Sequence, residues 1–172
     1  MKKRLFGLFL LFVFPALLFA ESLNSVFQNS GPAAGYDKLV ELRAGQIYTG
    51  GITAQGGNIL IKGNGAVIDL QGERLTFRGL TKVTITGCIV INGSDGLLCQ
   101  DSVTALVTQS VFYNNHFGIR YESPYGQIEV YNTVLAKNSK YGFACNDGNA
   151  AILHYIDAYQ NGLGNYAKFC YD

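Results

Sequence analysis

Residues 83–92 read VTITGCIVIN, and this stretch decides the fold because its pattern returns along the chain. Val83 and Ile85 alternate with threonines, as in a strand that buries one face. An Asx residue ends the stretch, and Asx residues recur every 23 positions. They are Asp69, Asn92, Asn115, Asn138 and Asn161. A fixed interval of this size is typical of a solenoid, in which each repeat is one turn of a coil.

Aligning the turns on the Asx residues predicts a first row of core side chains. Pairs of apolar residues lie ten and eight positions before the Asx residue, and the turn ending at Asn92 is one residue shorter there. The pairs are Ile59 and Ile61, Val83 and Ile85, Ala105 and Val107, Ile128 and Val130, and Ala151 and Leu153. Alternation of this kind indicates a strand with one buried face in every turn.

Two further rows of inward side chains are expected in each turn. The first lies three residues before the Asx position and consists of Ala66, Ile89, Phe112, Leu135 and Ala158. The second follows a glycine series and consists of Leu97, Ile119 and Phe143; the glycines are Gly96, Gly118, Gly142 and Gly164. Three short strands separated by corners predict a triangular coil with like residues stacked in adjacent turns.

The Asx and glycine series are expected at the corners of this coil. Asn, Asp and Gly tolerate the left-handed backbone conformation that a sharp corner needs. Stacked Asn side chains can also form hydrogen bonds with one another from turn to turn. We therefore predict one structural ladder that contains all five Asx residues.

The outward positions predict two features of the surface. Tyr113 and Tyr159 share one outward position two turns apart, about 9.6 Å, with Ala136 between them. Tyr131 and His154 share another outward position. A third outward position holds Leu60, Leu106 and Ile152, with Glu129 among them. Aromatic rings stack well on sugars, and an exposed apolar stripe indicates a surface covered by the N-terminal segment or by another chain.

The N-terminus has the composition of a secretory signal peptide at residues 1–20, with Lys2, Lys3 and Arg4 before an apolar run. Removing it leaves 10 basic and 12 acidic residues, which does not indicate a nucleic-acid partner. No later segment is apolar enough to predict a membrane span. We expect a secreted or periplasmic protein with an N-terminal capping segment at residues 21–38, which includes a weak helical pattern, and a coil at residues 39–172.

Four cysteines in an exported chain allow two disulfide bonds. Cys88 with Cys99 and Cys145 with Cys170 are the pairings to test. The alternative is that some of these cysteines are small buried apolar residues. The C-terminal end has no evident cap, so we expect it to be tied by a disulfide or to associate with a partner, including a second copy of the chain.

The stretch at residues 37–52, DKLVELRAGQIYTGGI, and the repeated pattern at residues 83–92 make the chain similar to the right-handed parallel β-helix proteins of the pectate-lyase-like superfamily. The resemblance covers nearly all of the mature chain. It implies an all-β solenoid of about six turns. It does not imply one chemistry, since this superfamily includes lyases, hydrolases, epimerases, tailspikes and adhesins.

Candidate catalytic residues are few. Gly93-Ser94-Asp95-Gly96 faintly resembles the first motif of the pectin hydrolases, whose other motifs are absent, so Asp95 is more simply interpreted as a corner residue. A lyase needs a basic residue to remove a proton, and Arg120, with Glu122 nearby, is the best candidate. Calcium is expected only under this lyase hypothesis. Otherwise we expect no cofactor and no metal site.

Three hypotheses for function follow. The first is a non-catalytic β-helix that binds a polysaccharide or another component of the cell envelope through Tyr113, Tyr159, Tyr131 and His154. The second is a polysaccharide lyase or glycoside hydrolase that uses Arg120, Glu122 and Asp95. The third is a structural or assembly subunit. The absence of long insertions beside a coil of six turns favours binding or assembly over catalysis.

Overall fold

The computed structural model describes residues 20–146 and 150–167 and shows a parallel β-solenoid of about six turns. One helix, α1 (Leu23–Asn29), precedes the coil. The strands are β1 (Glu21–Ser22), β2 (Lys38–Glu41), β3 (Ile47–Thr49), β4 (Ile52–Lys62), β5 (Val67–Asp69), β6 (Arg74–Thr86), β7 (Ile89–Ile91), β8 (Asp95–Gln100), β9 (Thr104–Thr108), β10 (Val111–Tyr113), β11 (Phe117–Glu122), β12 (Gln127–Ala136), β13 (Tyr141–Cys145), β14 (Ala150–Tyr159) and β15 (Gly164–Tyr166). This confirms the predicted right-handed parallel β-helix.

The strands form three parallel sheets along the coil, because β4, β6, β12 and β14 each bend at a corner and serve two sheets. Sheet 1 runs β2, β4, β6, β9, β12, β14. Sheet 2 runs β1, β3, β5, β7, β10, β12, β14. Sheet 3 runs β4, β6, β8, β11, β13, β15. Among the described residues, β14 pairs on one side only, with β12.

The interior of the coil is filled by stacked apolar side chains. The paired rows predicted for sheet 1 are confirmed, since Ile59, Val83, Ala105, Ile128 and Ala151 lie in one register. Buried tyrosine hydroxyls inside the coil have backbone partners; that of Tyr121, for example, donates to the carbonyl of Val103 at 2.6 Å. A buried hydroxyl needs such a partner to offset its desolvation.

The N-terminal helix adds to the same core. Ser22 accepts a hydrogen bond from the Ser25 amide at 3.3 Å, which is an N-cap. Leu23 and Phe27 are buried and Val26 packs against the core, as the helical pattern predicts. The predicted signal peptide lies almost entirely outside the described residues. None of the described helices is long and apolar enough to cross a membrane.

The row predicted for sheet 2 is correct at Phe112 and Leu135 and wrong in the two turns before them. Phe112 and Leu135 are buried and in register, as predicted. In the preceding turns Ile68 and Val90 occupy this row in place of Ala66 and Ile89. Ala66 is buried but precedes β5, and Ile89 faces outward and is only half-buried. The reason is the length of the turns: Val90 and Phe112 are 22 residues apart, and Phe112 and Leu135 are 23 apart. A fixed interval of 23 therefore slips by one residue at Ile89, which reverses the face of the strand, and by two residues at Ala66.

The same slip divides the predicted Asx ladder in two. The inner ladder is Asn115, Asn138 and Asn161, at the corner between sheets 2 and 3. The Asn138 side chain accepts from the Asn115 amide at 3.0 Å, and the Asn161 side chain accepts from the Asn138 amide at 3.0 Å. The outer ladder consists of Asp69, Asn92 and Asn114. Asn92 donates to Asp69 at 3.0 Å, and Asn114 donates to Asn92 at 2.8 Å.

The glycine series is explained by close packing between turns, and not by the left-handed backbone conformation that was predicted for it. A Cβ at Gly96, Gly118 or Gly142 would overlap the carbonyl oxygen of the next turn and would crowd the amide groups of the inner ladder. These three glycines have no left-handed backbone. Gly164 does not continue the series, since it lies in register with Tyr141. Glycine is needed here because sheet 3 passes close over the Asn side chains.

The predicted bond between Cys88 and Cys99 is wrong. Both are free thiols buried in the coil, Cys88 at the corner between sheets 1 and 2 and Cys99 on the inner face of sheet 3. Burial raises the pKa of Cys88 to about 12 and also raises that of Cys99. Cys145 is buried in β13, and Cys170 lies outside the described residues, so that pairing stays a prediction.

Candidate functional site

A polar cleft of about 630 Å³ lies on the outer surface of sheet 3. Its floor includes Thr76 and Leu98, which point outward and yet are almost fully buried. Helix α1 contributes Asn24 to one side of the cleft. The charged and amide side chains that line it are Glu73, Arg74, Arg78, Gln100 and Arg120. A concave surface with several convergent polar groups is the usual form of a ligand site.

Four charged side chains form an ion cluster along this cleft. Asp95 pairs with Arg74 at 3.1 Å and with the Nε of Arg120 at 3.1 Å, and the Nη2 of Arg120 donates to its other oxygen at 3.2 Å. Glu122 lies 3.7 Å from Arg120. The Asp95 side chain is only 4% exposed, against 43% for Arg74 and 27% for Arg120. A ligand in the cleft would therefore contact the guanidinium groups and not the Asp95 carboxylate.

The electrostatics of Asp95 combine two opposing effects. Burial raises the pKa of Asp95 above its usual range, and the charges of Arg120 and Arg74 oppose this rise without cancelling it. A buried carboxylate held between two arginines is fixed in place and cannot reach outward. It orients the two guanidinium groups that edge the cleft.

A second pocket of about 280 Å³ lies on the other side of Arg120, towards the C-terminal turns. The rings of Phe117 and Tyr141 stack there, with centroids 6.3 Å apart and planes 30° apart. Arg120 lies 5.1 Å and Lys140 5.2 Å from the centre of the Phe117 ring. Arg120 lines both cavities, so the cleft and the pocket adjoin across successive turns of sheet 3, and we refer to the two together as the groove.

Local sequence explains why the groove lies on sheet 3. Strands β8 and β11 have six residues each, while β7 and β10 of sheet 2 have three. The longer strands carry three outward columns of side chains and the shorter ones two. A register shift between Arg74 and Leu75 displaces the edge of the sheet, as bulges do beside many sites.

The structure brings Arg120, Glu122 and Asp95 together, as the enzyme hypothesis requires. It also keeps the predicted aromatic pairs. Tyr113, Ala136 and Tyr159 are in register on sheet 2, with both rings exposed. These tyrosines lie on a different sheet from the groove.

The second predicted pair lies on sheet 1. The rings of Tyr131 and His154 stack with centroids 5.4 Å apart, and the Tyr131 hydroxyl donates to Glu129 at 3.0 Å. The predicted stripe of Leu60, Leu106 and Ile152 is also on the outside of this sheet. Leu106 and Ile152 are each 36% exposed.

Sequence reasoning missed Arg74, Arg78, Phe117 and Tyr141 as groove residues. A signal for two of them was present, because Phe117 and Tyr141 each stand directly before a glycine of the series, as Asp95 does. These three residues form one outward column: Asp95 is in register with Phe117, and Tyr141 follows Phe117 in the next turn. Arg74 and Arg78 carried no such signal, since they precede the first of those glycines.

The fold and the groove define a right-handed parallel β-helix protein with a polar cleft on one sheet. Residues 53–166 match the family described as periplasmic copper-binding protein (NosD), and the chain belongs to this family. Its periplasmic character confirms the predicted secreted or periplasmic localisation. Comparison with curated proteins and with solved structures gave no match.

Proposed function

We propose that this periplasmic β-helix protein binds a polysaccharide or another glycan of the cell envelope in the groove of sheet 3. The observation that carries this proposal is the joining of two cavities at Arg120, one polar and one lined by stacked aromatic rings. Aromatic faces bind the apolar faces of sugar rings, and guanidinium and amide groups hydrogen-bond to their oxygens. A groove that crosses several turns suits an extended chain.

A glycan array probed with the purified chain tests this proposal. The strongest ligand is then titrated against the wild type, Tyr141→Ala and Tyr141→Phe. Tyr141→Ala removes one of the stacked rings, so we expect a loss of affinity of about fivefold to tenfold. Tyr141→Phe keeps the ring and should bind within about twofold of the wild type. Binding that is equal in all three proteins would contradict a role of the groove, and an array without any ligand would contradict the function.

The tyrosine pair on sheet 2 is the alternative surface for the same function. Tyr113 and Tyr159 are exposed at two turns' distance, and Lys137 lies 5.6 Å from the centre of the Tyr113 ring. The double variant Tyr113→Ala, Tyr159→Ala assigns binding to one surface or the other. If it abolishes binding and Tyr141→Ala does not, the ligand lies on sheet 2.

Catalysis on a polysaccharide remains the alternative, supported by the proximity of Arg120 and Glu122 in the groove. The ion pairs of Asp95 with Arg74 and Arg120 favour binding instead, because an acid or a nucleophile must reach the scissile bond. Incubation with pectate, alginate and chondroitin separates the two functions. A rise in ultraviolet absorbance from unsaturated products would establish a lyase, and release of reducing ends would establish a hydrolase.

The family description names copper, but the donor residues that the structure describes do not fit a copper site. Copper sites in proteins use His, Cys and Met. The only methionine is Met1. His116 and His154 lie on different sides of the coil, while Cys88 and Cys99 are buried with raised pKa values. Within the described ranges, no three His, Cys, Asp or Glu side chains lie close enough together to hold a metal ion. We therefore assign no step of the function to copper.

A further inference from the structure

The charges along the groove are unevenly accessible to a ligand. The carboxylate of Glu73 accepts a hydrogen bond from the Gly51 amide at 2.6 Å, and that of Asp95 is buried between two arginines. Arg74 and Arg120 remain partly exposed, and Arg78 is exposed with no ion pair to any described residue. Glu73 is itself exposed, so a molecule entering the cleft from solvent would meet three guanidinium groups and the one carboxylate of Glu73, but not that of Asp95.

The aromatic part of the groove lies at a defined distance from these cations. Arg74, Asp95 and Phe117 occupy one outward column of sheet 3, so Phe117 is two turns from Arg74. Two turns correspond to about 10 Å. A sugar ring stacked on Phe117 and Tyr141 would therefore place its neighbours along the column towards Arg74, and Arg78 lies in the same turn as Arg74, four residues further along β6.

We propose that the groove selects an anionic glycan, whose ring stacks on Phe117 and Tyr141 and whose carboxylate or sulfate groups contact Arg74, Arg78 and Arg120. The chain lies along the axis of the coil. Glu122 is partly exposed beside the aromatic pocket, where Gln100 donates to it at 3.2 Å. The negative groups of the ligand are accordingly directed towards the cleft and away from the pocket. This inference rests on the proposed glycan-binding function.

The test compares polymers of similar size and different charge on the intact mature chain. The probes are oligogalacturonate for carboxylates, dextran sulfate for sulfates and dextran as the neutral control. The proteins are the wild type, Arg78→Gln and Lys82→Gln. The last two each lose one exposed positive charge, but Lys82 lies on sheet 1 and not in the groove.

We expect at least one anionic polymer to bind about tenfold or more tightly than dextran, with an affinity that falls as salt rises. Arg78→Gln should lose about threefold to tenfold, and Lys82→Gln less than twofold. The polymer that binds decides between carboxylate and sulfate. An equal loss in both variants would show a general charge effect and would overturn the inference.

Other outcomes separate the inference from the proposed function. Binding of dextran that equals binding of the anionic polymers overturns the anionic selectivity and leaves glycan binding intact. If no polymer binds, ligand-observed NMR with galacturonate and galactose monosaccharides examines the aromatic pocket alone. If galacturonate gives a signal and Tyr141→Ala abolishes it, the anionic site is supported but polysaccharide binding is not. The absence of any signal overturns both.

Discussion

Sheets 2 and 3 are built by the same repeat, pair in the same parallel manner and share a corner, yet only sheet 3 forms a groove. The central strands of sheet 2 have three residues, and this sheet presents Tyr113 of β10 and Tyr159 of β14 on an open surface. The corresponding strands of sheet 3 have six residues and carry a buried ion cluster beside a cleft. The difference teaches that the length of the strands and a register shift, more than the presence of aromatic residues, decide where a coil of this kind can enclose a ligand.

The strongest way to break both sheets together is to remove the inner ladder at their shared corner. Asn138 is fully buried, accepts from the Asn115 amide and donates to the Phe112 carbonyl at 3.2 Å. Asn138→Ala leaves both backbone groups buried without these partners, so we expect it to lower the free energy of unfolding by about 3 kcal/mol. Urea denaturation followed by circular dichroism measures this change.

The matched control for that variant lies on the outer ladder at the same corner. Asn92 is exposed and has a left-handed backbone (φ 59°), which glycine accepts. Asn92→Gly should change the free energy of unfolding by about 0.5 kcal/mol or less. If the two variants cost the same, the distinction between inner and outer ladders is wrong.

A smaller loss is expected where sheet 3 passes over the inner ladder. A Cβ at Gly118 would overlap the Gly142 carbonyl and crowd the Asn138 amide. Gly118→Ala should therefore destabilise the fold by about 2 kcal/mol. Gly31→Ala is the control, since open space surrounds that position, and thermal unfolding compares the two proteins. A stable Gly118→Ala variant would refute the steric reason for the glycine series.

Binding distinguishes the two sheets directly. Phe117→Ala removes one of the two stacked rings of the groove, so the affinity for a glycan ligand should fall about fivefold to tenfold. Tyr113→Ala on sheet 2 should leave the affinity within about twofold. Isothermal titration of both variants against one ligand gives the ratio. A larger loss in Tyr113→Ala would reverse the assignment of the two sheets.

The smallest effect expected is a dependence of stability on pH that comes from sheet 3. Burial raises the pKa of Asp95 in the folded protein above its reference value of 3.8, so the folded state binds its proton more tightly than the unfolded state does. This contribution to stability is fully present below the unfolded pKa and is lost as the pH rises through the folded pKa. Asp95→Asn should remove that decline in denaturation curves recorded between about pH 4 and pH 6. A decline of the same size in Asp95→Asn would assign it to another group.

The sequence was sufficient for the class of fold and for most of the core. The alternating pairs of sheet 1, such as Ile61 and Ile85, follow from periodicity because burial of one face fixes their register. The error at Ile89 came from applying one interval to turns of two lengths. When one turn has one residue fewer at a corner than the next, the pattern of apolar residues in the sequence does not reveal it.

The groove was only partly predictable for a different reason. Arg120, Glu122 and Asp95 were chosen by residue type, and the register of β8 with β11 makes them neighbours. The contribution of Arg74 depends on the register shift in β6, and that of Asn24 on the position of a helix distant in sequence. Contacts of this kind are set by tertiary structure, which a repeat pattern does not encode.

Backbone amide chemical shifts, mapped by NMR with and without a glycan ligand, test the assignment of the binding face most directly. The account predicts that the largest changes occur in Phe117–Glu122 and Tyr141–Cys145 of sheet 3, with little change in Val111–Tyr113 of sheet 2. Changes centred on Val111–Tyr113, with sheet 3 unaffected, would contradict it.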